Sequence, residues 1–300
     1  MLVVVFLLGG TAAAFAVTQG LKLERSPVLA PDIQKVFSPR VNEARIAFSL
    51  RKADRLTLAI VDGDGEAVRT LFRERRFPSR RVQAIWDGRD DAGRIVPDGD
   101  YRPRARLTDA RRTIVFPNEM RVDTEAPRIE RFSVSRRTVS PDGDGRADGV
   151  SIAYELSERA RMRLLVNGKQ RVRKLGQAPK AAIQWYGKLR GGPVRPRTYR
   201  LELVAVDDAG NRSRRVPAGP VRVRYAELGR DTIRVRAGTR FGVRVSTDAR
   251  RYAWLFARGR GSSSARYLVL RAPRKPGSYR LFVQARGRGD SARVVVTAAP

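Results

Sequence analysis

Ala44-Arg45-Ile46-Ala47-Phe48-Ser49-Leu50 returns, about a hundred residues later, as Val150-Ser151-Ile152-Ala153-Tyr154-Glu155-Leu156. The same landmarks then follow each copy in the same order. Ala84-Ile85-Trp86-Asp87-Gly88 leads to Gly99-Asp100-Tyr101, and Ile183-Gln184-Trp185-Tyr186-Gly187 leads to Arg197-Thr198-Tyr199. A repeat of this length is too long for a solenoid unit and matches a small β-sandwich. The chain therefore reads as tandem sandwich modules, an arrangement suited to binding, spacing or display.

Outward from these stretches the pattern stays that of half-buried antiparallel strands. Arg55-Leu56-Thr57-Leu58-Ala59-Ile60-Val61 and Tyr101-Arg102-Pro103-Arg104-Ala105-Arg106-Leu107 alternate with a period of two. Turn signals separate such runs: Asp62-Gly63-Asp64-Gly65, Asp91-Ala92-Gly93 and Pro97-Asp98-Gly99. No helical period appears beyond the first twenty residues, so the fold class is all-β, tandem Ig-like β-sandwich modules after an N-terminal hydrophobic helix. The expected spans are 1–20 for that helix, 21–32 for a linker carrying Pro27 and Pro31, 33–124 and 125–226 for two Ig-like modules, and 230–300 for a third. The third has six expected strands, beginning at Ile233, Phe241, Tyr252, Tyr267, Tyr279 and Val294. Each module also places a Tyr just after a turn: Tyr101, Tyr199 and Tyr279. Such a Tyr buries its ring and bonds backbone through its hydroxyl, as at a tyrosine corner.

Trp86-Asp87-Gly88-Arg89-Asp90-Asp91-Ala92-Gly93-Arg94, followed by Val96-Pro97-Asp98-Gly99-Asp100-Tyr101, resembles the Ig-like domain of flagellar hook-cap (FlgD-like) proteins. That domain recurs in many secreted and cell-surface bacterial proteins. Ile60 to Leu71 matches the hairpin that the family places ahead of the motif. In the second module Trp185 and Gly187 remain, but the acidic turn has become Lys188-Leu189-Arg190-Gly191-Gly192. Ala205-Val206-Asp207-Asp208-Ala209-Gly210-Asn211 is similar to a strand-to-turn motif frequent in extracellular Ig-like repeats. The resemblance implies a sandwich fold and a structural turn, with Trp86 at the sandwich edge and Asp87, Asp90 and Asp91 satisfying backbone N–H groups. It does not select a function, because the module is reused in many settings.

From Leu2 to Gly20 no residue is charged. That length matches a single membrane helix, and Ala14-Phe15-Ala16 also offers a signal-peptidase pattern. Either reading places the rest of the chain outside the cytoplasm, secreted or anchored by the helix.

Composition narrows the chemistry. There are 300 residues, 42% hydrophobic, enough for two or three ordinary cores. Cys and His are both absent, which removes disulfides, thiolate nucleophiles, Cys/His zinc sites and imidazole acid–base steps. The chain is read as a non-enzyme. With 62 basic against 30 acidic residues the net charge is +32, which reads first as arginines filling solvent-facing strand positions, with polyanion binding as the alternative. Residues 231–300 hold 15 Arg and one Lys against three Asp, a net +13. Arg234, Arg236, Arg240 and Arg244 alternate there with apolar residues, and are expected on one sheet's outer face as a polyanion-binding set.

One motif suggests a ligand. Ser140-Pro141-Asp142-Gly143-Asp144-Gly145-Arg146-Ala147-Asp148-Gly149 groups three carboxylates, Asp142, Asp144 and Asp148, of the hard-oxygen type that Ca²⁺ takes. It is not an EF-hand, since the twelfth position is Ala153. The segment reads first as a turn into the opening strand, with Ca²⁺ as the alternative. The first module has Ser38-Pro39-Arg40-Val41-Asn42 in the same place, without the acids. The leading functional expectation is an extracytoplasmic binding or spacer element at a bacterial cell surface, with an envelope component as partner. Two rivals stand beside it: a polyanion binder gripping an anionic envelope polymer, lipid or nucleic acid through the third module, without specific nucleic-acid recognition, and the accessory β-region of a surface hydrolase.

Overall fold

The protein is described by a computed structural model over residues 26–189 and 192–298. The expected N-terminal helix, residues 1–20, lies outside these. Every regular element among the described residues is a strand, and none of them forms a helix long and apolar enough to cross a membrane. The chain divides into two compact units, one running to Glu125 and including Asp208–Asn211, the other comprising Ala126–Asp207 and Arg212 onward.

The first unit is one Ig-like sandwich. Its smaller sheet pairs Val28–Ile33, Ala44–Leu50 and Arg81–Trp86; the larger carries Val36–Phe37, Met120–Val122, Gly99–Leu107, Asp54–Val61 and Ala67–Phe77 in that order, with Arg112–Val115 beside Gly99–Leu107. The inward residues of both sheets, among them Phe37, Phe48, Leu58, Trp86 and Tyr101, form one core, as two facing half-apolar sheets must. All of Val28–Ile33 but its last residue falls within the expected linker, 21–32. Pro31 lacks an N–H and reads as a break, but here it lies at a bulge on an edge strand, where the ladder tolerates it. Asn211 Nδ2 donates to Asp123 O at 3.0 Å, and Asn42 Nδ2 to Ala209 O at 3.3 Å, so the turn Asp208–Asn211 belongs to this unit.

The second unit contains two further sandwiches of the same design. In one, Ile129–Val134, Val150–Leu156 and Lys180–Trp185 face a sheet ordered Thr138–Val139, Val216–Val223, Arg197–Val206, Arg161–Val166, Lys169–Arg173. In the other, Ala226–Leu228, Arg240–Thr247 and Tyr267–Arg271 face a sheet ordered Thr232–Arg236, Arg288–Thr297, Gly277–Ala285, Tyr252–Phe256, Gly259–Ser263. All three sandwiches share one unusual pairing in otherwise antiparallel sheets. The strand that leaves the small sheet joins the large one in parallel with a late strand: Val36–Phe37 with Met120–Val122, Thr138–Val139 with Val216–Val223, Thr232–Arg236 with Arg288–Thr297.

The second and third sandwiches are joined through buried groups. Ala285, 2% exposed at the tip of the third sandwich's last hairpin, packs into the second's core. Tyr225, 1% exposed, donates its hydroxyl to Val194 O at 2.8 Å, while its own carbonyl accepts from Thr247 Oγ1 at 2.7 Å. The Arg288 guanidinium lies 5.8 Å from the centre of the Tyr225 ring.

Candidate functional site

The Trp turns are structural. Trp86 is wholly buried in the core rather than at its edge, and donates from Nε1 to Arg89 O at 3.0 Å; Trp185 donates to Lys188 O at 3.1 Å. Each indole packs edge-on against its tyrosine-corner ring, Tyr101 at 5.3 Å and Tyr199 at 5.4 Å. The corner hydroxyls donate four residues back, from Tyr101 to Pro97 O, Tyr199 to Arg195 O and Tyr279 to Lys275 O. In the first turn the acids serve the backbone, as expected. Asp87 Oδ1 accepts from Arg89 N, Asp90 Oδ1 from Arg94 N, and Asp91 Oδ1 from Thr70 N. The Arg94 N–H holds the Asp90 carboxyl below its ordinary range.

The acidic loop is built differently. Asp142, Asp144 and Asp148 each bring a carboxylate oxygen within 4.8 Å of the others. Asp148 spends both oxygens on the loop, accepting from Gly143 N at 2.6 Å and Gly145 N at 2.8 Å. Asp144 Oδ1 accepts from Arg146 N at 2.7 Å, and Asp142 Oδ1 from Asp144 N at 3.2 Å. The remaining oxygens, Asp142 Oδ2 and Asp144 Oδ2, are buried without a hydrogen-bond partner. Asp142 as a whole is only 7% exposed. Its carboxyl is pushed up to about 6, first by burial and then by the charges of Asp144, Asp248 and Asp148, against the lowering effect of the Asp144 N–H. Carboxylates so arranged fit a hard cation.

Asp248 escapes sequence reasoning. It follows strand Arg240–Thr247 of the third sandwich in a stretch, Thr247-Asp248-Ala249, that reads as an ordinary turn. Both of its carboxylate oxygens are buried and lack a hydrogen-bond partner. Asp248 and Arg146 of the acidic loop line one groove of about 450 Å³.

The four arginines expected on one face divide between two sheets. Arg234 and Arg236 lie on Thr232–Arg236 in the five-stranded sheet, Arg240 and Arg244 on Arg240–Thr247 in the three-stranded one. Between the strands, Gly238 at φ 72° and the Thr239 N–Arg236 O bond turn the chain from one sheet to the other, so a continuous alternation in sequence ends up on two opposite outer faces. The smaller sheet's face is the more distinctive. Arg240 pairs with Arg271, Gly242 with Val269 and Arg244 with Tyr267. Tyr267 is 62% exposed, and its ring fills the space that a side chain on Gly242 would need. Trp254 is half-buried. It packs against the core and covers Gly261, which lets the Gly-Ser run Gly259–Ser263 hold as an edge strand.

No protein-family model matches the chain, and no curated protein matches it. Among solved structures it is similar to the fibronectin(III)-like modules of CbhA from Clostridium thermocellum, at 13% identity and a TM-score of 0.36, over 65% of this chain and 93% of that one. It is similar to SGBP-B of the Bacteroides ovatus mixed-linkage glucan utilization locus, solved with a mixed-linkage heptasaccharide, at 15% identity and a TM-score of 0.24, over 90% of this chain and 71% of that one. FlgD from P. aeruginosa matches at 16% identity and a TM-score of 0.26, over 45% of this chain and 89% of that one.

Proposed function

We propose that this chain is a non-catalytic, extracytoplasmic spacer and binding protein of a bacterial cell surface, built from FlgD-like Ig-like sandwiches and secreted or held at the membrane by its apolar leader. The observation that carries the reading is where the polar chemistry goes. The acids of the first sandwich's Trp turn are committed to backbone N–H groups, and the buried contacts between the second and third sandwiches fasten one module to the next, as suits a spacer. Alkaline phosphatase fused after Arg25, behind the native start, is expected to be active. An inactive fusion accumulating in the cytoplasm overturns the localisation.

A second reading, adhesion to an anionic envelope polymer, is favoured by one surface. Arg240, Arg244 and Arg271 frame the exposed Tyr267 and Val269 on a single outer face. Guanidinium groups bind carboxylate and phosphate, and an exposed aromatic ring adds apolar contact. On this reading, replacing two of those arginines, Arg240 and Arg244, by Ala lowers the salt needed to elute the chain from heparin more than replacing Arg234 and Arg236 does. Equal shifts would make the retention a matter of net charge alone.

A further inference from the structure

Four buried carboxylate oxygens lack a hydrogen-bond partner, and no other carboxylate oxygens among the described residues share that condition: Asp142 Oδ2, Asp144 Oδ2, and both oxygens of Asp248. An unpaired buried carboxylate is costly, and like charges brought together add to the cost. Here two elements distant in sequence bring such charges near one another: the Asp248 charge acts on the Asp142 carboxyl, from outside the cluster that Asp142, Asp144 and Asp148 form within 4.8 Å. Asp142 and Asp144 come from the loop that opens the second sandwich, and Asp248 from the turn after strand Arg240–Thr247 of the third. Arg146 of the loop and Asp248 line the same groove, so the two elements face each other. Guanidinium groups are near without answering the charge. Arg286 comes within 3.1 Å of the space beside Gly143, yet no ion pair joins it to the loop carboxylates among the described residues.

We propose that a divalent cation, with the oxygen preference and tolerant coordination of calcium, binds between the Asp142–Asp148 loop and Asp248 and ties the second sandwich to the third. The loop alone offers two unspent oxygens and Asp248 offers two more, while Asp148 holds the loop in its curl through Gly143 N and Gly145 N. Calcium takes six to eight oxygens in flexible geometry and fills its remaining positions with carbonyls and water; magnesium demands a near-ideal octahedron that such a mixed set does not pre-form. The site does not depend on whether the chain is exported or what it adheres to, so its failure would leave the spacer reading intact.

The test is titration of the full chain with calcium alone, by calorimetry, and with terbium, whose emission Tyr225 would sensitise. One site is expected, with a dissociation constant on the order of 10⁻⁴ to 10⁻³ M, as in extracellular modules. Asp144→Asn and Asp248→Asn remove a charge without changing volume, and each is expected to weaken binding by about tenfold or more; Asp64→Asn, in the first sandwich's hairpin turn, should leave it unchanged. Calcium should also raise the melting temperature of the unit containing the second and third sandwiches in the unaltered protein, a readout that requires no variant. No heat and no melting shift up to about 10 mM calcium would overturn the site. Weakening by Asp144→Asn but not by Asp248→Asn would overturn the bridge, and equal affinity for magnesium would overturn the choice of ion.

Discussion

Acidic residues occupy different corners of the first and second sandwiches, and the frame around them hardly notices. In the first, they fill the Trp turn and each finds a backbone N–H. In the second, that turn has lost its acids and closes through a short backbone ribbon, Lys188–Leu189 with Gly192–Pro193. The fixed points survive the change. Val96 N donates to Gly88 O at 3.0 Å, and Val194 N to Gly187 O at 2.9 Å. Pro39 of one Ser-Pro pair covers Gly88, and Pro141 of the other covers Gly187. Acids that only close a turn are replaceable wherever main chain can pair instead. The second sandwich's acids have moved to its Ser-Pro loop, where part of their hydrogen-bonding capacity is unspent.

If the buried frame rather than the turn chemistry holds each sandwich, removing the indole should be the largest perturbation in both. Trp86→Ala and Trp185→Ala are each expected to cost about 3–5 kcal/mol, from lost burial plus cavity. Calorimetry of the full chain should show Trp86→Ala lowering one transition, and Trp185→Ala lowering another in which the third sandwich takes part, because Ala285 packs into the second's core. Third-sandwich signals that survive unshifted in Trp185→Ala would mean that the shared core does not couple them.

The glycine under each proline separates the two frames more finely. A Cβ on Gly88 would lie 2.2 Å from Pro39 Cγ, and one on Gly187 2.6 Å from Pro141 Cγ. Both glycines have positive φ, 72° and 56°, and a proline ring cannot swing aside. Ala at either place should cost about 2–3 kcal/mol, the sum of backbone strain and overpacking, with Gly88→Ala the worse. Chemical denaturation of each variant measures the order. A harmless Gly187→Ala would mean that the second turn, freed of its acids, can shift as a body.

Much of this frame was legible because it rests on local chemistry. Alternation marks the strands, and Trp, Gly and Tyr recur at matched offsets. What stayed hidden depends on tertiary placement. Val28–Ile33 looked like linker because Pro31 breaks the pattern, and only its edge position and bulge make it a strand. Gly259–Ser263 is missing from the six strands expected of its sandwich, because the side-chain mass its glycines lack comes from the Trp254 ring. The arginine alternation was read correctly as strand, but Gly238 splits it between sheets. The loop carboxylates were visible as a motif. Asp248 was not, since nothing in its own neighbourhood distinguishes it from a turn aspartate.

The smallest expected effect bears most directly on the contrast between the two Ser-Pro loops. Asp142 stands where the first loop has Arg40, directly after the Ser-Pro pair, and its carboxyl is raised from 3.8 to about 6. A carboxyl that holds its proton more tightly folded than unfolded contributes stability that is complete below about pH 4 and lost as pH rises through about 6. The full shift would correspond to about 3 kcal/mol, and solvent screening reduces this to about 1–2 kcal/mol. Asp142→Asn keeps an acceptor for Asp144 N and removes the charge. With chelator present, the variant should therefore match the unaltered protein near pH 4 and exceed its stability by about 1–2 kcal/mol above pH 7. With about 10 mM calcium at pH 7 the order should reverse, because only the unaltered protein gains a ligand from the substituted oxygen. Arg40→Gln in the first loop should show neither behaviour. Urea unfolding at the two pH values, with and without calcium, reads all of these, and an Asp142→Asn chain less stable than its parent at pH 7 in chelator would mean that the carboxylate already has its counter-charge.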